Sequence, residues 1–128
     1  MTLLDSNIII YAIQPENAQL RQFIADHSSA VSALSDVEVL GYHRLNEPDR
    51  SDLEQFFQIA QVLPISQPVL EQAIAVRQIR RMSLGDSIIA GTALVHHLTL
   101  VTRNTDDFQW IEQIRLFNPF SVDSDESC

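Results

Sequence analysis

Short apolar segments, separated by stretches with helical periodicity, constrain this chain more than any other feature. Thr2–Leu4, Ser29–Ser32, Gln61–Ile65, Leu98–Thr102 and Arg115–Phe117 each have the length of a strand. Leu98-Thr99-Leu100-Val101-Thr102 is the clearest, rich in leucine and β-branched residues. Between these segments apolar residues recur at helical spacing, as in Leu20, Phe23 and Ile24, or Leu53, Phe56, Phe57 and Ala60. Helices are expected over 7–12, 18–27, 34–45, 51–60, 69–81 and 87–97, with Pro48, Pro68 and Gly85 as breaks and a helical turn over 106–111. In the fifth helix Leu70, Ala73, Ile74 and Ile79 are expected to face inward. Strands that alternate with helices pair in parallel, and a parallel sheet is covered on both faces. The expected fold is therefore α/β, a three-layer α/β/α sandwich around a short parallel sheet of about four to five strands.

A chain of 128 residues fits one domain, expected over 1–120, followed by an acidic, disordered tail at 121–128 that holds Asp123, Asp125 and Glu126. No apolar run approaches the roughly 20 residues of a membrane span. No basic segment precedes an apolar one at the start, so neither a membrane span nor a signal peptide is expected. The single cysteine, Cys128, has no internal partner, and a reducing cytoplasm is the simplest setting. A formal charge of −9 would ordinarily count against nucleic-acid binding. That objection weakens if cations neutralise some of the carboxylates.

Four acidic positions stand where an apolar segment meets a helix start: Asp5, Glu38, Asp86 and the pair Asp106-Asp107. Singly, each has a structural explanation. Asp5 and Asp86 would serve as helix N-caps, Ser35-x-x-Glu38 fits a capping box, and Asp106-Asp107 suits a solvated turn. Jointly they ask for more, because clustered carboxylates among apolar residues repel one another unless a cation intervenes. A hard divalent ion, Mg²⁺ or Mn²⁺, takes oxygen ligands of this kind. In a parallel sheet the carboxyl ends of the strands form the usual ligand crevice, and Asp5, Glu38 and the 104–107 segment follow expected strands.

These blocks resemble those of PIN-domain ribonucleases. Leu4-Asp5-Ser6-Asn7-Ile8-Ile9-Ile10-Tyr11 is similar to the family's opening motif, and Ser32 through Gly41 to the block that supplies a glutamate, here Glu38. Leu84-Gly85-Asp86-Ser87-Ile88-Ile89-Ala90 is similar to the third block and Leu100 through Phe108 to the fourth. The resemblance runs from about residue 2 to 119 and, in size, is similar to the VapC-type toxins of toxin–antitoxin pairs. It implies a PIN-like fold and a metal-dependent endoribonuclease in which Asp5 and Asp86 hold Mg²⁺ or Mn²⁺, with Glu38 and Asp107 joining directly or through water. Many relatives carry an aspartate where this chain has Asn104; the form with asparagine there and an acid before phenylalanine is fitted by Asp107, with Asp106 as its substitute. Ser6, Asn7, Thr102 and Asn104 would orient the carboxylates or waters.

By the same resemblance, an activated water cuts the RNA strand in line and leaves a 5′-phosphate and a 3′-hydroxyl. An antitoxin partner and a homodimer are implied as well. Arg77, Arg80 and Arg81, expected on one helix face, and Arg103 are candidates for holding RNA phosphates. The alternative is a catalytically weak or silent PIN-like module that works by binding a protein or RNA, since Asn104 lacks a full charge. An aspartyl-phosphate receiver or phosphatase fits poorly: all eight basic residues are arginine, and Asn7 stands where a second aspartate would be needed.

Overall fold

The computed structural model describes residues 1–121; the expected tail lies outside the described residues from 122 onward. Five parallel strands, β1 (Thr2–Leu4), β2 (Ser29–Ser32), β3 (Gln61–Leu63), β4 (Thr99–Val101) and β5 (Arg115–Phe117), form one sheet in the order β3-β2-β1-β4-β5. The pleat divides the core. Leu3 lies in register with Ala30 and Leu100, and together they face Val76, Ile89 and Ala93 on one side. Leu4, with Val31 and Val101, faces Ile8, Ile9, Leu53 and Phe57 on the other. All six strand residues are fully buried, the condition for a parallel sheet sealed on both faces. The first side is covered by α5 (Gln67–Ile79) and α6 (Leu84–His96). The second is covered by α1 (Ser6–Ala12), α2 (Ala18–Asp26), α3 (Ala33–Leu40) and α4 (Glu47–Ile59). This is the three-layer α/β/α arrangement.

Three residues expected to break helices lie inside them. Pro48 and Pro68 occupy the first turns of α4 and α5, where a missing N–H has no helical partner to lose. Asn46 Oδ1 accepts from Asp49 N at 2.9 Å and Ser66 Oγ from Val69 N at 3.4 Å, so the caps stand upstream of each proline. Gly85 lies in the first turn of α6, which begins at Leu84 behind the N-cap Ser83. In contrast α3 is shorter than expected and stops at Gly41.

The inward stripe of α5 matches the expected one only at Ala73. Val69, Ala73 and Val76 are buried, whereas Leu70, Ile74 and Ile79 are 39%, 57% and 74% exposed. The reason is close helix packing: a Cβ at Gly91 of α6 would stand 2.7 Å from the Val69 carbonyl oxygen. Only the small face of α5 tolerates that approach. Among the described residues no helix is long and apolar enough to cross a membrane.

The chain leaves β1 for β2 and β3 on one side, then returns to place β4 on the other side of β1. The carboxyl ends of β1 and β4 thus meet at the topological switch point.

Candidate functional site

Asp5 ends β1 and caps α1 in extended backbone at that switch point. Its Oδ1 accepts from Ser6 N and its Oδ2 from Thr102 Oγ1, both at 2.8 Å. Thr102, fully buried after β4, also accepts from Asn104 N at 3.0 Å. One hydroxyl thereby fixes a carboxylate from one strand end and the loop that follows another. Asp5 is 7% exposed, and its pKa is raised above the ordinary carboxylate value. Burial is the main cause; the charges of Asp86 and Glu38 add to it, while the bonds from Thr102 and Ser6 oppose it.

Glu38 reaches the same place from α3. Ser6 Oγ donates to Glu38 Oε1 at 2.7 Å and lies 2.9 Å from Ser35 Oγ. A hydroxyl has one proton, so if Ser6 donates to Glu38 then Ser35 donates to Ser6, giving a relay of two buried hydroxyls behind one carboxylate. The expected capping box is therefore absent: α3 is capped by Ser32, whose Oγ accepts from Leu34 N at 3.1 Å. Glu38 is free to point at α1 instead of at its own helix start.

Asp86 lies in the first turn of α6 but is not its cap. Ser83 fills that role, its Oγ accepting from Asp86 N at 3.1 Å. Burial raises the Asp86 pKa, and so do the charges of Asp107 and Glu38. Asp107 sits in a 3-10 turn, Thr105–Asp107, anchored by the fully buried Phe108 that follows it. Asp106 shares the turn and is not among the charges acting on Asp86. Asp5, Glu38, Asp86 and Asp107 thus form one connected set of repelling carboxylates at the carboxyl edge of the sheet.

Every donor in that set is a hard oxygen, the chemistry Mg²⁺ or Mn²⁺ requires. Among the described residues no three acidic or histidine side chains are gathered tightly enough to hold an ion as they stand. Glu38 is engaged by Ser6 and the others repel one another. The donor set fits a divalent cation, and small side-chain movements would be needed to close round one.

Of the other expected residues, Ser6, Thr102 and Asn104 belong to the network, Asn104 through its backbone N–H. Asn7 is exposed and makes no side-chain hydrogen bond among the described residues. The arginines do not share a helix face, because α5 ends at Ile79 and Arg80 is extended at φ −152°. Arg77 Nε donates to Met82 O at 3.3 Å. Arg103 lies over Phe120 at 4.4 Å and Tyr11 at 5.0 Å. Arg80 and Arg81 instead line a pocket with Asp86, Asp106, Asp107 and Trp110. Ser35, Ser83 and Trp110 were not singled out as site residues; Ser83 was legible, as a serine three positions ahead of Asp86.

The PIN-domain family model matches residues 2–112. The chain belongs to the PIN-domain family. PIN domains are a family of nucleases, and the matched span contains all four acids. No curated protein matches the chain at a significant level. A toxin–antitoxin complex from Klebsiella pneumoniae contains a chain 28% identical to this one, with a TM-score of 0.73 over 93% of this chain and 98% of that one. FitAcB from Neisseria gonorrhoeae is 25% identical, with a TM-score of 0.75 over 94% and 99%. DNA-bound VapBC from Salmonella typhimurium is 23% identical, with a TM-score of 0.78 over 91% and 98%, a likeness of fold alone.

Proposed function

We propose that this PIN domain is a Mg²⁺- or Mn²⁺-dependent endoribonuclease of the VapC type, the toxin of a toxin–antitoxin pair. The observation that carries the reading is the buried Asp5 carboxylate, held at the switch point by Thr102 and Ser6 and repelled by Asp86 and Glu38. A protein that only needed an N-cap would gain nothing from that repulsion. Asp5 and Asp86 would hold the cation, with Glu38 and Asp107 completing the set directly or through water. When bound, it would supply charge neutralisation at the phosphodiester and acidify a water. The protein's own part is orientation: Thr102 and Ser6 fix both oxygens of Asp5, and the Ser35–Ser6 relay holds Glu38 across from it.

The partner reading rests on the relatives' toxin–antitoxin complexes and on an apolar groove of about 490 Å³ between α1, α2 and α4. Ile9, Ile13, Ile24, Leu53 and Phe56 line it, a surface suited to an apolar segment of an antitoxin. Incubation of the purified chain with an RNA pool, in Mg²⁺ and in EDTA, tests the activity. Metal-dependent cleavage that is absent in Asp86→Asn is expected. Binding without cleavage in either condition would instead favour the catalytically silent module, which Asn104 in the fourth block makes the standing alternative.

A further inference from the structure

We propose that the pocket holding Arg80, Arg81 and Trp110 beside Asp86 and Asp107 anchors the phosphodiester adjacent to the one that is cut, with Trp110 as its positioning residue. The proposal rests on the nuclease reading and adds to it a place for the strand. A chain of formal charge −9 with clustered carboxylates repels a polyanion, so a strand needs local cations next to the acids. Arg80 and Arg81 are the arginines that line one pocket with the acids Asp86, Asp106 and Asp107. Neither is held in an ion pair by the acids around it: among the described residues the one side-chain ion pair is Glu47–Arg50, at 3.8 Å. A guanidinium fork without a carboxylate partner matches a phosphate. The pocket is small, about 170 Å³, below the roughly 300 Å³ of ordinary small-molecule sites, and suits a phosphate and its sugar.

Trp110 joins the two halves. Its indole Nε1 donates to the Asp107 carbonyl oxygen at 3.0 Å, which braces the acidic turn. The same ring carries the Arg80 guanidinium, 5.6 Å from its centroid. Its body packs on the core beneath α5 and α6. The spacing between a phosphate-holding cation and an acid of the site is thus set through one rigid ring.

Trp110 is also the only tryptophan in the sequence, so its fluorescence reports on this pocket directly. The full chain in EDTA, titrated with a single-stranded oligoribonucleotide, should show a saturable fluorescence change. Arg81→Gln should weaken binding about tenfold, the scale of one charge-assisted contact. Arg115→Gln removes the same charge where Arg115 bonds the His97 carbonyl, at the opposite edge of the sheet, and should leave affinity within twofold.

Trp110→Phe, followed by anisotropy of a labelled oligonucleotide, keeps a ring for Arg80 and loses the indole N–H. Its affinity should hold within twofold while kcat falls about tenfold; Trp110→Leu should lose both. No fluorescence change, or equal weakening in Arg115→Gln, overturns the pocket. Loss of affinity in Trp110→Phe with kcat intact overturns the positioning role. Polyglutamate shifting the fluorescence where the oligonucleotide does not would overturn the proposal in favour of an acidic protein partner. Binding lost in Arg81→Gln but without cleavage by the wild type supports the pocket and sinks only the nuclease reading. Cleavage with an unchanged KM in Arg81→Gln does the reverse.

Discussion

Asp86 and Asp107 show how one charge can be both a burden on the fold and the reason for it. Asp86 is pushed up by burial and by Asp107, so Asp86→Asn relieves repulsion in the metal-free protein. We expect it to abolish metal-dependent cleavage while raising the melting temperature in EDTA at pH 7 by ~2 °C, read by thermal unfolding. A melting temperature that fell sharply would mean Asp86 has a structural role instead. The two adjacent acids of the fourth block separate in the same way. Asp107 is among the charges that raise Asp86 and is anchored by Phe108, whereas Asp106 lines the same pocket without being one of them. Asp107→Ala should reduce kcat by about a hundredfold, on the order of 2.7 kcal/mol, and Asp106→Ala by only a few-fold. A larger loss in Asp106→Ala would exchange their roles. From sequence alone the pair was ambiguous, because neighbours in a turn differ only in direction, and direction is set by the buried Phe108.

Two short connections carry the site at the level of elements. Thr102, just after β4, donates to Asp5 and accepts from Asn104, so Thr102→Val leaves a buried carboxylate short of a donor. The expected cost is about 1–3 kcal/mol at pH 7. That bond lowers the Asp5 pKa, so its loss raises the pKa further, and the cost should shrink once Asp5 is protonated at low pH. Denaturant unfolding at pH 7 and pH 4 measures the difference; equal costs at both would exclude this cause. The first turn of α6 is the other connection. A Cβ on Gly85 would stand 2.9 Å from Glu38 Oε2, the end of a flexible side chain. Gly85→Ala should fold normally, with stability unchanged or raised by roughly 0.5–1 kcal/mol, yet lose activity because Glu38 is displaced. Full activity in that variant would show that Glu38 need not stand where it does.

The strands were legible because each is a brief apolar run, and α1 was legible because Asp5 caps it. The starts of α4, α5 and α6 were not. Pro48, Pro68 and Gly85 break a helix in its interior but are welcome in its first turn, and only the caps Asn46, Ser66 and Ser83 tell the two apart. The stripe of α5 was misread for a different reason. Leu70 and Ile74 satisfy the same periodicity as Val69 and Ala73, and the choice was made by Gly91 on a partner helix.

For the whole molecule the acids act as a pH- and metal-dependent load. Burial and mutual repulsion raise Asp5 and Asp86 above the ordinary aspartate value of 3.8, so the folded state holds more protons than the unfolded one just above that pH. Metal-free stability therefore falls as pH rises from about 3.8 through the raised values, then levels off. Mg²⁺ or Mn²⁺ should offset this load at pH 7, by ~1.4 kcal/mol at ten times its Kd, and do little at pH 4. Thermal unfolding in metal and in EDTA at the two pH values tests it; equal gains at both would place the ion elsewhere. The bond between Thr102 and Asp5 spans 97 positions and joins the first strand to the fourth. During synthesis β1 can pair with β2 early, but its other neighbour, β4, arrives only after most of the preceding chain has emerged. A growing polypeptide would thus lack the bond that fixes Asp5 until Thr102 has been made, which under the proposed toxin reading leaves an interval for a guardian to be ready.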